Sequence, residues 1–216
     1  MLLRILRDGH ITAVSGGPEV AGIANALPAL HMKVDVVPAR GGFGRKIEYL
    51  PNLVAARMAE RLGGTYHLMT IPDGLSPELF LKVKKELPQL KVIDEMLAKA
   101  DILITGVEDS RNAAEWMELP KDVKTRLAGE GAAGEALGLF TDIHGKVLYR
   151  MYNAGISGDD ISSIPHVLIA AGGSHKGAAI LAMARAGIRG TLITDEGAGN
   201  EILSLMAGKE SKTGGY

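Results

Sequence analysis

HVLIAAGGSHKGAAILAMARAG, residues 166–187, is the stretch whose reading decides the fold. Its apolar run, residues 167–171, has the length and character of a strand buried on both faces of a parallel sheet. Gly172 and Gly173 break the run and let the backbone turn tightly. Ser174 stands at the N-cap of a helix over GAAILAMARA, where Ile180, Leu181 and Met183 sit among small residues. A helix starting beside the carboxyl end of a parallel strand offers unpaired N–H groups and a partial positive charge. Lys176 adds a full positive charge in the first turn, where a cation is unfavourable unless an anion lies nearby. Strand, glycine pair, hydroxyl and lysine together make an anion cradle. The competing reading is an ordinary βα turn with Lys176 in solvent.

Working outward, the same order recurs. Residues 10–15 form a strand, Gly16 and Gly17 follow, and Pro18 suits the first position of a helix that runs to Pro28. In KVDVVPARGGFG, Val34, Val36 and Val37 make a strand ended by Pro38, and the loop carries Arg40, Gly41, Gly42, Phe43 and Gly44. A helix over residues 52–62 has Leu53, Val54, Met58 and Leu62 at helical spacing, and TYHLMTIP is a further strand. Residues 79–90 and 91–100 are amphipathic helical pieces joined around Pro88. DILITG ends a strand at Gly106, and residues 111–117 are helical and hold the only tryptophan, Trp116. Residues 127–153 differ: a Gly/Ala-rich stretch leads to two strand-like runs around His144 and Gly145, the pattern of a hairpin. TLITDEGAGNEILSLM supplies the last strand, loop and helix, and residues 209–216 are a frayed tail. At the other end MLLRILRD, apolar and basic, has no preceding partner for its side chains and reads as a connector from a missing segment.

Alternating strands and helices predict an α/β fold of Rossmann type: a mostly parallel sheet with helices on both faces and a small β-hairpin excursion. Such sheets bind ligands at the carboxyl rim of their strands, where loops 15–18, 40–45, 106–111, 172–176 and 194–197 converge. The 216 residues suffice for one domain with a sizeable core, and 46% hydrophobic with 23% charged residues is ordinary globular composition. A formal net charge of −1 argues against a nucleic-acid grip by this chain itself. No apolar run is long enough to span a bilayer, and the absence of cysteine removes disulfides and thiol chemistry. These features fit a cytoplasmic protein with no membrane partner. The six histidines are scattered without metal-ligand spacing, so no metal and no cofactor is expected.

The rim chemistry suits a small phosphorylated polyol. Arg40, just after a strand and just before a double glycine, can fork two hydrogen bonds to a phosphate while glycine N–H groups take another oxygen. Lys176 provides a second cation, whereas Arg45 and Lys46 point outward in this reading. Glu135, Asp195 and Glu196 are the carboxylates available to sugar hydroxyls, with capping of the last helix as the alternative role for Asp195. GxGxxG with a downstream acid, the P-loop motif and G-x-S-x-G are all absent.

PARGGFG, AAGGSHKGAAI and LITDEGAGNEIL, in this order and spacing, resemble the sugar-binding domain of SorC-type bacterial transcriptional regulators. The resemblance covers the chain from His10 to Met206. It implies the fold of ribose-5-phosphate isomerase and glucosamine-6-phosphate deaminase, and a single effector-binding domain over residues 1–216. It also implies a homo-oligomer, dimer or tetramer, that meets DNA only through a winged helix-turn-helix domain absent from this chain. The implied effector is a sugar phosphate such as fructose-1,6-bisphosphate. By position, the resemblance places Ser15, Gly16 and Gly17 in a phosphate loop, Arg40 to Gly44 in a second loop, Glu135 on sugar hydroxyls and Lys176 on phosphate. Gly106, Gly172, Gly173, Ser174 and Asp195 complete the implied effector site. Two positions depart from the family pattern. Pro18 and Glu19 replace small hydroxyl residues, which removes an N–H and adds a negative charge. Ala114, Glu115 and Trp116 stand where a basic pair is usual, with Arg111 nearby as a substitute. A monophosphate sugar or a triose phosphate is therefore the alternative effector. Two other functions compete with the sensor: a sugar-phosphate isomerase or deaminase on the same fold, and an oligomerisation domain whose glycine loops are plain turns.

Overall fold

The computed structural model describes residues 1–42, 46–152, 154–158 and 160–208. A short helix, α1 (Leu2–Ile5), precedes β1 (Ile11–Val14), α2 (Pro18–Ala26), β2 (Asp35–Pro38), α3 (Pro51–Leu62) and β3 (Thr65–Tyr66). Two helices, α4 (Pro77–Glu86) and α5 (Gln89–Leu97), lead into β4 (Ile102–Gly106). Then come β5 (Glu108–Asp109), α6 (Ser110–Trp116), α7 (Lys121–Gly129), β6 (Ala132–Ala136), β7 (Leu139–Asp142) and β8 (Val147–Arg150). The chain closes with β9 (His166–Ala170), α8 (Gly177–Arg185), β10 (Thr191–Ile193) and α9 (Glu196–Met206).

The main sheet has six strands in the order β10-β9-β4-β1-β2-β3, and every neighbouring pair is parallel. Its central strands β1, β2, β4 and β9 are apolar on both faces because each face is covered, whereas the edge strands β3 and β10 are exposed. Val14, Val36, Ile102, Ile104 and Leu168 pack with α1, α2 and α3 on one side. Their neighbours Ala13, Val37, Leu103 and Ile169 pack with α5 and α8 on the other. This two-residue alternation is the signature of a buried strand. After β1 the chain builds β2 and β3 on one side, then returns to place β4 on the opposite side of β1. That reversal leaves a crevice above the carboxyl ends of β1 and β4.

The excursion is larger than a hairpin. β5, β6, β7 and β8 form an antiparallel sheet of their own. Phe140, Met151, Ala113, Ala114 and Leu127 make a separate small core between it and α6 and α7. The sequence reading had no helix at α7, whose nine residues bury only Leu127 and so carry almost no apolar periodicity.

Three further expectations are corrected. TYHLMTIP pairs as a strand only at Thr65 and Tyr66. Beyond them the Asn52 side chain takes over, donating to the Met69 carbonyl (2.8 Å) and accepting from its N–H (2.9 Å). Residues 1–8 do not lack partners: Leu2 and Leu6 are buried against the α2 and α3 face of the sheet. Ser174 does not cap α8; it opens a short 3₁₀ turn, and Lys176 occupies the N-cap position with no side-chain cap bond.

The two sheets meet where β6 crosses α8. A Cβ on Gly134 would lie 2.7 Å from the Ala179 carbonyl oxygen and 2.9 Å from its Cα. Backbone cannot yield there as a side chain would. Gly134→Ala is expected to cost ~1–3 kcal/mol as an overpacked contact, lowering the Tm by several degrees in calorimetry.

Candidate functional site

A cavity of about 620 Å³ occupies the crevice, a size suited to a small ligand. Its floor is the end of β1 (Ser15, Gly16) and of β4 (Thr105, Gly106), and Arg40 and Gly41 after β2 form one wall. Glu135 and Leu137 of the small sheet continue this wall, with Glu135 beside Arg40, and Trp116 at the end of α6 stands on the rim, 44% exposed. The cavity therefore lies between the two sheets.

Arg40 is only 7% exposed. Its Nε donates to Asp73 Oδ2 at 2.6 Å and its Nη1 to Glu135 Oε1 at 3.1 Å. Asp73 Oδ1 accepts from Gly41 N–H at 2.9 Å, and Glu135 Oε1 also accepts from Gly138 N–H at 2.6 Å. Burial works against the Arg40 charge, but the attraction of Asp73 and Glu135 prevails and holds its pKa above the ordinary value. For Glu135 the balance is reversed: burial raises its carboxyl pKa against the pull of Arg40 and the Gly138 N–H.

Lys176, 4% exposed, forms a second cluster of the same kind. Its Nζ donates to Glu108 Oε2 at 2.8 Å and to Glu19 Oε1 in the first turn of α2. Glu108 also accepts from Asp109 N–H and from the Asn112 amide. Burial would lower the lysine pKa, yet the hydrogen bonds and charges of Glu108 and Glu19 raise it above its usual value. The sequence calls for an anion beside Lys176. The protein's own carboxylates fill that place.

The structure brings Ser15, Gly16, Gly17, Arg40, Gly41, Gly106 and Glu135 onto the cavity. Lys176 touches it through Glu19 and Glu108, which both line it. Arg111, Gly42, Gly172, Gly173, Ser174 and Asp195 are not among the lining residues, and Phe43, Gly44 and Arg45 lie outside the described residues. Asp195 takes the capping role: it accepts from Ala198 N–H (2.8 Å) and from Gly173 N–H (2.6 Å), which lowers its pKa.

Three of the glycine amides are also committed. Gly17 N–H donates to the Tyr49 carbonyl, Gly41 N–H to Asp73 and Gly173 N–H to Asp195. Gly16 also serves close packing: a Cβ there would fall 2.3 Å from the Tyr49 carbonyl oxygen. Sequence reasoning missed Asp73, Glu108 and Lys124 as lining residues, singled out Glu19 and Trp116 only as departures from the family pattern, and turned Lys46 outward although Lys46 lines the cavity. Its Nζ lies 5.4 Å from the Tyr49 ring centroid and has no carboxylate partner among the described residues. Also among the described residues, no group of three or more His, Asp or Glu side chains is arranged to hold a metal ion. No helix there is long and apolar enough to cross a membrane.

A family profile described as "Putative sugar-binding domain" matches residues 1–204. The chain belongs to the sugar-binding domain family of SorC-type regulators. The Central glycolytic genes regulator of Bacillus subtilis is 31% identical over 196 residues, 90% of this chain and 57% of that protein. Its namesake from Priestia megaterium is 33% identical over 202 residues, 93% of this chain and 59% of that protein. This chain thus spans less than two thirds of either relative. In structure it is similar to the "putative SorC family transcriptional regulator" from Enterococcus faecalis, with a TM-score of 0.85 and 31% identity. That match covers 94% of this chain and 83% of the other. The full-length Sorbitol Operon Regulator SorC from Klebsiella pneumoniae shares the fold at 21% identity, with a TM-score of 0.83 over 94% of this chain and 69% of that one. The resemblance found in the three sequence motifs and the α/β fold it implies are both borne out.

Lys176→Met leaves Glu19 and Glu108 facing each other without a counter-charge and is expected to cost ~3–5 kcal/mol. Because the folded pKa of Lys176 is raised, its stabilisation is complete below the unfolded value near 10.5 and fades as pH climbs through the higher folded one. Denaturant unfolding between about pH 9 and about pH 12 should show an alkaline decline in the parent that is shallower in Lys176→Met.

Proposed function

We propose that this chain is the effector-binding domain of a bacterial transcriptional regulator of sugar metabolism, and that a phosphorylated sugar fills the cavity between its two sheets. The observation that carries the reading is the Arg40–Asp73–Glu135 cluster on the cavity wall. It sets guanidinium donors beside carboxylate acceptors, and such a mixed surface matches the donor and acceptor character of sugar hydroxyls. Trp116 adds an aromatic face at the rim on which the apolar side of a sugar ring can rest. Family membership and the names of the curated relatives point the same way.

In this reading residues 1–216 are one sensing unit, and DNA is met through a separate winged helix-turn-helix domain of the regulator. The ligand is bound and released unchanged. Fructose-1,6-bisphosphate, fructose-6-phosphate, glucose-6-phosphate and dihydroxyacetone phosphate are the candidate effectors. Ser15, Gly16, Gly17, Arg40, Gly41, Gly106 and Glu135 are the contact residues. Phe43 and Gly44 belong to the same loop as Arg40. Binding alters the packing between the small and main sheets, and so the contacts among copies in a dimer or tetramer.

Trp116 makes the test simple, since it is the only tryptophan and lies on the rim. At least one of the four compounds is expected to change its emission in a saturable titration. The same compound, at about 100 times its Kd, should add ~2.7 kcal/mol of stability and raise the Tm. Flat emission and an unmoved Tm across all four would overturn the reading.

A further inference from the structure

Both deep cations at the cavity are already neutralised. Arg40 is bound by two carboxylates and so is Lys176, which leaves each cluster with a net negative charge. Among the described residues the carboxylates of Glu19, Asp73, Glu108, Glu115 and Glu135 line the cavity. Against them stand Arg40, Lys46 and Lys124 on the lining, with Lys176 just behind. Lys124 is paired with Glu115 at 2.9 Å. Lys46 alone of these four has no carboxylate partner among the described residues.

A phosphate ester carries roughly −1.5 to −2 charge at neutral pH. One such group can be met by Lys46 while the sugar hydroxyls lie on the Arg40 cluster. Among the described residues a second group has no uncommitted cation to meet. The Gly17 and Gly41 amides are in use, and Pro18 has no N–H to give. Among the described residues the remaining candidate for the second phosphate is Lys176, and Glu19 holds it. The Glu19 side chain is 28% exposed whereas that of Lys176 is 5% exposed, so the carboxylate faces the opening and the ammonium lies behind it.

We propose that Glu19 is a specificity-determining residue: by occupying Lys176 it makes the cavity a site for sugars bearing one phosphate and turns away sugar bisphosphates. This rests on the sugar-phosphate reading above and narrows it. Glu19 acts here as a built-in anion at the start of α2, where a negative charge is favoured by the helix dipole. Removing its charge while keeping its shape frees Lys176 for an incoming phosphate.

Calorimetric titration of the parent, Glu19→Gln and Glu19→Ser with fructose-6-phosphate and fructose-1,6-bisphosphate tests this, with thermal unfolding confirming that each variant is folded. The parent should bind the monophosphate at least about tenfold more tightly than the bisphosphate. Both variants should gain about tenfold or more for the bisphosphate and change by less than about threefold for the monophosphate. A parent that binds both sugars equally, or prefers the bisphosphate, overturns the inference and leaves the sugar-phosphate reading standing. Folded variants with an unchanged preference overturn it in the same way. Failure of the parent to bind either sugar overturns both.

Discussion

The structure depends on two buried cations, each held between two carboxylates. An ion taken out of water is costly, and only close partners with satisfied hydrogen bonds offset that cost. Arg40 and Lys176 meet the requirement with partners drawn from distant segments. Arg40 follows β2, Asp73 lies in the loop beyond β3, and Glu135 is in the small sheet. Lys176 precedes α8, Glu19 begins α2, and Glu108 opens the small sheet. The two clusters therefore tie the halves of the main sheet to each other and fasten the small sheet onto both.

The same arrangement governs what the cavity can hold. A cation shared between two carboxylates still donates hydrogen bonds but offers little net charge to an anion. Such surfaces favour hydroxyl groups over phosphate. Because each cluster bridges the two sheets, a ligand inserted between them competes for bonds that set their spacing. In the proposed function this supplies a mechanical route from occupancy to oligomer contacts, without requiring any long chain of coupled residues.

The main sheet was legible because its strands are short continuous apolar runs that end in glycine or proline, and because helix periodicity separates them. The parallel order and the carboxyl rim follow from that alternation alone. β3 and α7 were not legible, for opposite reasons. Met69 and Ile71 point inward from a loop held by Asn52, which imitates a strand. α7 is so polar that nothing marks it as a packed helix. For the site, Arg40, Glu135 and Lys176 stood out as charges beside glycine turns, and the structure gathers them near one cavity. Their neutralising partners were hidden because Asp73, Glu108 and Glu19 lie 33, 68 and 157 positions away from the cations they hold. No local spacing reports such pairs. The glycine amides misled for a related reason: sequence shows that a turn frees an N–H, and only folding shows which carbonyl or carboxylate claims it.

The most direct measurement is a crystal structure of the chain with a bound hexose monophosphate. The account predicts sugar hydroxyls on Arg40, Asp73 and Glu135, phosphate on the Lys46 side of the cavity, and Lys176 still bonded to Glu19 and Glu108. A phosphate seated on Lys176 with Glu19 swung away, or Arg40 released from both carboxylates to grip the phosphate, would contradict it.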